Sequence, residues 1–264
     1  MDFLPLGLAF LMGETVNFVW IGKKLGPIHT ACIRSFQRHG HPTLLHCFDV
    51  PEDTPEGTKV FDASQLMRRD EIVSYRREKS LALAANIYRY RLLAAGFGLY
   101  ADCDVFCLRP FPDKDWLLGW ESDNSINSAV LKAPADSDLV RILIKATGSG
   151  HFIAPWWSEP KQRLHAGLGK IGMGRDLTRT RWGSTGPRLL TYAVKKLGLT
   201  DRVLPADAFY PLHYEMTDLL LQSGLSLRDL ATPRSYAIHL FHHIIGHHEF
   251  PPAGSPLAEL LVGR

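Results

Sequence analysis

Residues 96–110 read GFGLYADCDVFCLRP and place two carboxylates two positions apart. Asp102 and Asp104 follow an apolar run that starts at a glycine turn, which predicts a short strand ending at this pair. Side chains at positions i and i+2 of an extended chain point to the same side, so the two carboxylates can converge on one point. Ligands of open α/β sheets bind at the carboxyl ends of strands, and two oxygen donors suit Mg²⁺ or Mn²⁺, which in turn holds a diphosphate. The alternative interpretation is a pair of solvated turn residues.

An amphipathic helix is predicted directly upstream, over residues 78–95. Its buried stripe follows the three- and four-residue spacing of a helix and consists of Leu81, Ala84, Ala85, Tyr88, Leu92 and Ala95. Gly96 and Gly98 supply the C-terminal stop. Asn86 and Arg89 are neighbours on the helix surface, so Arg89 is a candidate to face the same cleft and meet a phosphate or a ribose. The alternative for Arg89 is a cation on the protein surface.

These two segments resemble the core of the DXD-containing sugar-binding glycosyltransferases, the family 32-like enzymes. That family combines an acidic residue, an Arg-Tyr pair and a Gly-Gly-x-Tyr-x-Asp-x-Asp run, and this chain has Asn86, Arg89-Tyr90 and residues 96–104 in the same order. Family members include bacterial polysaccharide-building enzymes, the yeast initiating mannosyltransferase and the eukaryotic α1,4-glycosyltransferases, with the glucosylating clostridial toxins as more distant relatives. The chain departs from the pattern at Asn86, where the family usually has aspartate, and at Phe97, which replaces the second glycine.

Three further segments match the family in the expected order, so the resemblance spans roughly residues 16–243. Residues 18–22 resemble the opening strand, whose tryptophan stacks on the nucleotide base. Residues 125–133 resemble the segment that borders the donor sugar, and residues 185–191 resemble the Thr-Gly-Pro start of a helix. The nucleotide-sugar-binding residues that the resemblance implies are Val19, Trp20, Gly22, Asn86, Arg89, Tyr100 and Asp102.

The resemblance implies an α/β fold of the GT-A type, a nucleotide-sugar transferase fold with a Rossmann-like central mixed sheet flanked by helices. The predicted elements agree, because a β-α-β opening is what a nucleotide-binding half requires. We expect residues 1–264 to form a single catalytic domain. The segment of about residues 147–184 shows little periodicity in its apolar residues, and it is too long to be an ordinary connection between two elements. It is therefore predicted to be an acceptor-binding insertion. Its Trp156, Trp157 and Trp182 are candidates to stack on sugars, or else they fill a minor core.

A second cluster of chemical interest is the set of histidines near the end of the chain: His239, His242, His243, His247 and His248. Pairs four residues apart suit zinc on a helix, but the glutamate of an HExxH motif is absent and Gly246 interrupts the segment. In enzymes that the chain resembles, a C-terminal histidine returns to the metal held by the Asp-x-Asp pair. The resemblance therefore implies a Mn²⁺ or Mg²⁺ site of Asp102, Asp104 and His239, with His242 as the second choice and the other histidines at the surface or in packing.

The predicted activity is metal-dependent, retaining transfer of a hexose from a nucleotide sugar. A cation on Asp104, with Asp102 and Arg89 nearby, stabilises the negative charge that grows on the departing diphosphate. No dedicated nucleophile is evident, which favours front-face attack within an ion pair, with Glu121 and Asn127 as candidates near the sugar. We expect a UDP-hexose as the donor, with GDP-mannose kept open, and a glycan or glycolipid acceptor in surface polysaccharide synthesis.

Three other functions stay open at this point. A toxin-like transferase that modifies a protein shares the site and differs only in its acceptor. A non-catalytic carbohydrate-binding module fits less well because both aspartates are present. A metal-dependent phosphohydrolase also uses paired aspartates, but it needs neither the strand that contains Trp20 nor the helix that contains Arg89.

Residues 167–172 fit the dinucleotide-binding pattern GxGxxG. However, no strand precedes them and no acidic residue completes a dinucleotide site.

Composition and charge are those of an ordinary globular protein, and a net charge of +3 is too small to argue for nucleic acid. Local basic clusters, such as Lys161 to Arg181, leave binding to anionic lipid headgroups or to an acidic glycan open, and the alternative is scattered solvated charge. The four cysteines form no CxxC pair, so we expect buried free thiols in a reducing compartment. The apolar run at residues 3–12 is short and lacks a basic flank, which argues against a spanning helix or a signal peptide. A cytoplasmic enzyme is expected, with a place at the inner face of the membrane as an option.

Overall fold

A computed structural model describes residues 13–148, 151–174, 176–246 and 250–262. The strands are Val16–Trp20 (β1), Thr43–Cys47 (β2), Lys59–Asp62 (β3), Tyr100–Ala101 (β4), Val105–Cys107 (β5), Leu117–Ser122 (β6), Ser125–Lys132 (β7), Val203–Leu204 (β8) and Ala237–His239 (β9). The α-helices are Pro27–Arg38 (α1), Ala82–Ala94 (α2), Asp138–Thr147 (α3), Glu159–Lys170 (α4), Pro187–Lys196 (α5), His242–Ile245 (α6) and Pro256–Val262 (α7). The apolar run at 3–12, and both His247 and His248, lie outside the described residues, so the expectations about them stay predictions.

A seven-stranded sheet forms the centre of the molecule, in the order β3-β2-β1-β4-β7-β6-β8. The first four strands of this order are parallel, whereas β7 is antiparallel to both β4 and β6. A separate two-stranded antiparallel sheet joins β5 to β9. The expected α/β fold with a mixed central sheet is therefore confirmed.

Helices cover both faces of the sheet because β1 presents apolar side chains alternately to each side. Val19 faces a core that also contains Leu83 of α2, Leu143 of α3 and Leu190 of α5. Val16 and Phe18 face another core with Ile33 and Phe36 of α1 and Leu45 of β2. The C-terminal helix α7 packs against α1 in a third apolar cluster. The expected helices flanking the sheet are present on both sides.

The helix predicted over residues 78–95 starts only at residue 82, because the chain turns sharply before it. Lys79 adopts a left-handed conformation with φ of 51°, which a continuing helix does not allow. The predicted buried stripe is confirmed at Ala84, Tyr88 and Leu92, but it fails at both ends and is not one-sided. Leu81 is 41% exposed, whereas Asn86 and Arg89 on the supposedly polar side are buried. The helix packs between the sheet and α3, so most of its circumference is covered.

The glycine turn before β4 explains how Phe97 is accommodated. Gly96 and Gly98 have φ of 79° and 84°, in the left-handed region that favours glycine, whereas Phe97 is not among the residues with positive φ. The Phe97 ring packs against His46 and Phe61, with centroid distances of 4.8 and 4.9 Å. The replacement of the second family glycine therefore adds an aromatic contact without straining the backbone.

A second departure from the sequence prediction lies in the insertion at about 147–184, where α4 forms within the stretch that lacked periodicity. No residue of α4 is buried, so an apolar stripe could not have signalled it. Its first turn contains Glu159 and Pro160, and its last contains Lys170, which are favourable termini for a helix. The contacts of α4 with the rest of the insertion include those of His165, whose ring lies 4.7 Å from that of Trp157, and of Gln162, which donates to the Trp157 carbonyl at 2.7 Å.

Cys32, Cys47, Cys103 and Cys107 are free and buried, as the sequence predicted. In the portions of the chain that the structure describes, no helix has both the length and the apolar character needed to cross a membrane.

Candidate active site

A cleft of about 840 Å³ opens at the carboxyl ends of β1 and β4 and is lined by most of the residues singled out by the sequence, though not by Gly22, Trp156 or Trp157. The wall contributed by the first strand contains Val19 and Trp20, and the floor contains Asp102 and Asp104. Residues that complete the lining come from the whole chain, and they include His29, Tyr75, Asn86, Arg89, Tyr100, Glu121, Asn127, Trp182, Tyr214 and His239. Because β1 and β4 are parallel neighbours, their ends meet at one edge of the sheet, which is where open α/β sheets bind ligands.

Two carboxylates and an imidazole converge on the floor of this cleft. Asp102, Asp104 and His239 each offer one ligand atom within 4.8 Å of the others. The pairing of β5 with β9 sets Val105 opposite His239, which brings the imidazole beside the Asp-x-Asp pair. The Nε2 atom of His239 lies 3.3 Å from the Asp104 carboxylate. Hard oxygen donors with one imidazole form a suitable donor set for Mn²⁺ or Mg²⁺.

The chain segment after β9 is wrapped tightly around Asp104. The backbone N–H of Leu240 donates to the Asp104 carbonyl at 3.0 Å, and that of His242 donates to its carboxylate at 3.0 Å. Phe241 between them has φ of 49°, an uncommon conformation for a large side chain. The His242 ring packs on the His29 ring, with 4.4 Å between centroids. The hydrogen bond from His242 to Asp104 thus comes from the backbone N–H of His242.

Asp102 is held from the opposite side by a buried arginine. Arg89 is 4% exposed, and its guanidinium lies 2.9 Å from the Asp102 carboxylate. The same guanidinium donates to the carbonyl and hydroxyl of Ser128 at 2.5 and 3.0 Å, and the Tyr100 hydroxyl donates to Asp102. The alternative of a surface cation is therefore wrong for Arg89. Its main contacts are with the protein, although it also lines the cleft.

The electrostatics of the two carboxylates differ. Burial acts to raise the pKa of Asp104, but His239, His29 and the N–H of His242 outweigh it and hold that pKa well below its usual value. Burial dominates at Asp102 and raises its pKa, against the opposing charge of Arg89. Burial also acts to lower the pKa of His239, yet the charge of Asp104 raises it above 6.5. Asp104 and His239 thus each favour the charged form of the other.

Trp20 and Gly22 lie at the end of the first strand, where a base was expected to stack. The Trp20 ring packs against His29, with 4.6 Å between centroids, and its indole N–H donates to the Lys24 carbonyl at 3.1 Å. A Cβ on Gly22 would lie 3.1 Å from the indole nitrogen, so glycine leaves room for the ring. His29, which the sequence interpretation missed, extends the aromatic wall. Its position one turn into α1 gave no signal beyond a buried helix face.

The expected sugar-side residues lie on β6 and β7. The Asn127 amide donates to the Glu121 carboxylate at 2.9 Å, and its carbonyl accepts from the Ala129 N–H at 2.8 Å. Glu121 therefore has a fixed orientation at the cleft. Asn86 donates to the Thr185 hydroxyl at 3.3 Å, and Tyr75 shares that hydroxyl at 2.7 Å. The Thr-Gly-Pro segment thus packs against Asn86, and Tyr75 is a cleft residue that no motif in the sequence indicated.

Comparisons with known proteins were made on sequence and on structure. No family model matches the chain. A 144-residue segment is 24% identical to "Subversion of eukaryotic traffic protein A" of Legionella pneumophila subsp. pneumophila, covering 52% of this chain and 21% of that protein. Among solved structures, the glycosyltransferase domain of the YGT toxin gives a TM-score of 0.47 at 9% identity, over 80% of this chain and 83% of that chain. The bifunctional glycosyltransferase WbbM gives 0.42 at 14% identity, over 98% of this chain and 50% of that chain.

Proposed function

We propose that this protein is a metal-dependent glycosyltransferase that moves a hexose from a nucleotide sugar to a glycan or glycolipid acceptor. The observation that carries the proposal is the convergence of Asp102, Asp104 and His239 at the carboxyl ends of parallel strands, next to an aromatic wall that includes Trp20. Such a site can hold a diphosphate through a divalent ion while a flat base lies on the wall. A UDP-hexose is the favoured donor and GDP-mannose the second, both by the resemblance of the sequence.

The donor set fits Mn²⁺ or Mg²⁺, with Asp104, Asp102 and His239 as the residues that would hold the ion. Two carboxylates and a neutral imidazole suit a hard or borderline cation, and all three side chains reach one volume. The Nδ1 atom of His239 is buried and has no hydrogen-bond partner among the described residues, so Nε2 is the nitrogen aimed at the carboxylates. When bound, the ion supplies positive charge beside the departing diphosphate.

In the proposed reaction, the bond between the anomeric carbon and the diphosphate oxygen breaks and its electron pair stays on that oxygen. The acceptor hydroxyl oxygen forms the new bond to the same carbon, and its proton passes to the departing diphosphate. Retention of configuration is the expectation from the resemblance. Arg89 fixes Asp102 in place, and Asn127 orients Glu121, which is a candidate to stabilise positive charge on the sugar. These residues act by position and charge rather than as a covalent nucleophile.

A toxin-like transferase that modifies a protein is the second candidate. The observation that favours it is the similarity to the Legionella protein, whose description refers to subversion of eukaryotic traffic. The chain spans about a fifth of that protein, so the activity of the whole relative is a proposal for this chain. Both candidates share donor hydrolysis and differ in whether a saccharide or a protein becomes labelled. Placement in surface polysaccharide synthesis, in the cytoplasm or at the inner membrane face, belongs to the first candidate.

Thermal unfolding with UDP and GDP tests the donor site directly. We expect UDP or GDP to raise the Tm of the protein only when Mn²⁺ is also present. The expected increase is about 5–10 °C when the nucleotide concentration is ~100 times its Kd. Asp104→Asn should remove this shift, and Asp113→Asn, at an exposed loop position, should keep it. A nucleotide shift that is equal in EDTA, or that survives in Asp104→Asn, would contradict the metal-dependent donor site.

A further inference from the structure

A second cavity of about 730 Å³ opens beside the cleft, and we call it the side cavity. The side cavity and the cleft share a wall of Trp182, Gly183, Pro187 and Tyr214. Its volume lies within the range of about 300–1,000 Å³ that is usual for small-molecule sites. Asp102, Asp104 and His239 line the cleft and not the side cavity. A ligand in the side cavity would therefore lie next to the donor sugar without competing for the metal site.

The charged residues that line the side cavity are two arginines. Arg181 and Arg188 line it, both are exposed, and neither forms an ion pair within the described residues. No aspartate or glutamate is among the described lining residues. The first turn of α5 also borders the cavity and contains no acidic residue, so the helix dipole adds positive potential. Guanidinium groups without a carboxylate partner are suited to bind carboxylate or phosphate through two parallel hydrogen bonds.

Aromatic side chains form the rest of the lining. Trp182 and Tyr214, on the shared wall, are 39% and 43% exposed. Deeper in, Trp156 stacks against the Arg188 guanidinium at 4.5 Å and meets the Tyr192 ring at 5.9 Å. Large aromatic faces match the apolar face of a pyranose ring, and the stacking on Trp156 holds Arg188 in place before a ligand arrives. Exposed rings beside two arginines, one of them held on Trp156, suit a charged saccharide better than a neutral one.

We propose that the acceptor is an anionic saccharide, bound in the side cavity with its carboxylate or phosphate on Arg181 and Arg188. This proposal rests on the proposed transferase function, because a ligand in the side cavity is an acceptor only if the cleft beside it binds the donor. In this arrangement the sugar that bears the anion lies against Trp182 and Tyr214. The hydroxyl that accepts the hexose then enters the cleft across the shared wall. Uronic acids and sugar phosphates share this chemistry, and the two are separated by the choice of probe.

Calorimetric titration of the full chain with three probes tests the proposal. The probes are an oligosaccharide that contains glucuronic acid, the same oligosaccharide after reduction of its carboxyl groups, and glucose 1-phosphate. We expect the glucuronic acid probe or the phosphate probe to bind about tenfold or more tightly than the reduced probe, because a charge-assisted hydrogen bond is lost on reduction. Whichever anionic probe binds identifies the source of the charge.

Variants connect that preference to the side cavity. Arg181→Gln and Arg188→Gln should each lower the affinity for the anionic probe about tenfold and leave the reduced probe unchanged. Arg188→Lys should recover part of the loss, since it keeps the charge and loses the planar fork. Arg163→Gln, on the exposed face of α4, is the matched control and should bind as the wild type does. Unchanged Tm in each variant separates loss of binding from loss of folding.

The proposal fails if the reduced probe binds as tightly as the anionic probes, or if the preference survives in both arginine variants. It also fails if none of the saccharides binds and a protein acceptor is labelled instead. Donor hydrolysis by the wild type is measured in parallel. Hydrolysis without an arginine-dependent preference overturns the acceptor class and leaves the transferase proposal standing. An arginine-dependent preference without hydrolysis supports the saccharide site and removes the transferase proposal.

Discussion

At the level of single residues, the structure decides between the two roles that the sequence left open for Arg89. The helix pattern left two options for it, a contact to the donor or a solvated cation. The structure buries it against Asp102, Ser128 and the Tyr100 ring, with 4.7 Å from the guanidinium carbon to the ring centroid. Burial acts to lower its pKa, but Asp102 and the neighbouring tyrosines outweigh burial and raise that pKa, so it stays charged. Because the Arg89 guanidinium is buried and bonded to Asp102, its main role is to orient the Asp102 carboxylate.

Arg89→Met should therefore destabilise the fold by about 1–3 kcal/mol at neutral pH, because it removes a buried guanidinium from the partly exposed Asp102 carboxylate and leaves the Ser128 carbonyl without its donor. Arg68→Met is the control, since Arg68 and Asp70 form an ion pair whose side chains are 73% and 71% exposed, and we expect no measurable change there. Urea unfolding measures both. Adding Asp102→Asn to Arg89→Met should recover part of the lost stability. Equal losses in the two single variants would argue against a buried pair.

At the level of elements, the opening β-α-β unit and the helix at residue 187 follow from the sequence, because their signals are local. The strand at Val16–Trp20 is apolar at every position except Asn17, and Pro27 and Pro187 each begin a helix at a position where proline is favourable. The pairing of β5 with β9 is different. It joins Cys107 to Ala237 across about half of the chain, and strands of three residues carry too little pattern to identify a partner. The choice of His239 thus came from resemblance rather than from periodicity.

A buried polar network joins three of these elements. The His46 ring on β2 meets the Tyr88 hydroxyl at 2.9 Å and the Asn17 side chain at 3.0 Å. Asn17 in turn donates to the carbonyls of Phe97 and Leu99, both at 2.9 Å, and so fixes the turn that leads into the Asp-x-Asp pair. Burial lowers the pKa of His46 from 6.5 to about 4. The network therefore requires a neutral imidazole.

This requirement predicts an acid-sensitive step in stability. Between pH 6.5 and about 4, the unfolded chain binds a proton at His46 that the folded protein does not, so the free energy of unfolding decreases as the pH falls. The loss at His46 amounts to about 3 kcal/mol at pH 4, from about 1.4 kcal/mol per pKa unit. Denaturant unfolding at several pH values measures it. His46→Gln should be less stable at pH 7 and show a shallower slope over this interval; an equal slope would mean that other groups cause the acid sensitivity.

At the level of the whole molecule, a mixed sheet brings motifs from distant parts of the sequence to one edge. The Trp20 strand, the Asp102 strand and the Glu121 to Asn127 hairpin were each identifiable from local pattern or resemblance, and their ends all border one cleft. Tyr75, His29 and Tyr214 were not identifiable, because isolated aromatic residues acquire a role only when the chain folds around them. The side cavity was missed for the same reason, since Arg181 and Arg188 come to line one cavity only through the turn before α5.

The central claim is that the cleft turns over a nucleotide sugar at a metal centre built on Asp104. Hydrolysis of UDP-hexoses and GDP-mannose, followed by release of UDP or GDP with no acceptor present, is the most direct measurement. We predict that at least one donor is hydrolysed with Mn²⁺, that EDTA stops the reaction, and that Asp104→Asn shows no turnover while Asp113→Asn matches the wild type. The account is contradicted if no donor is hydrolysed, or if hydrolysis continues in EDTA or in Asp104→Asn.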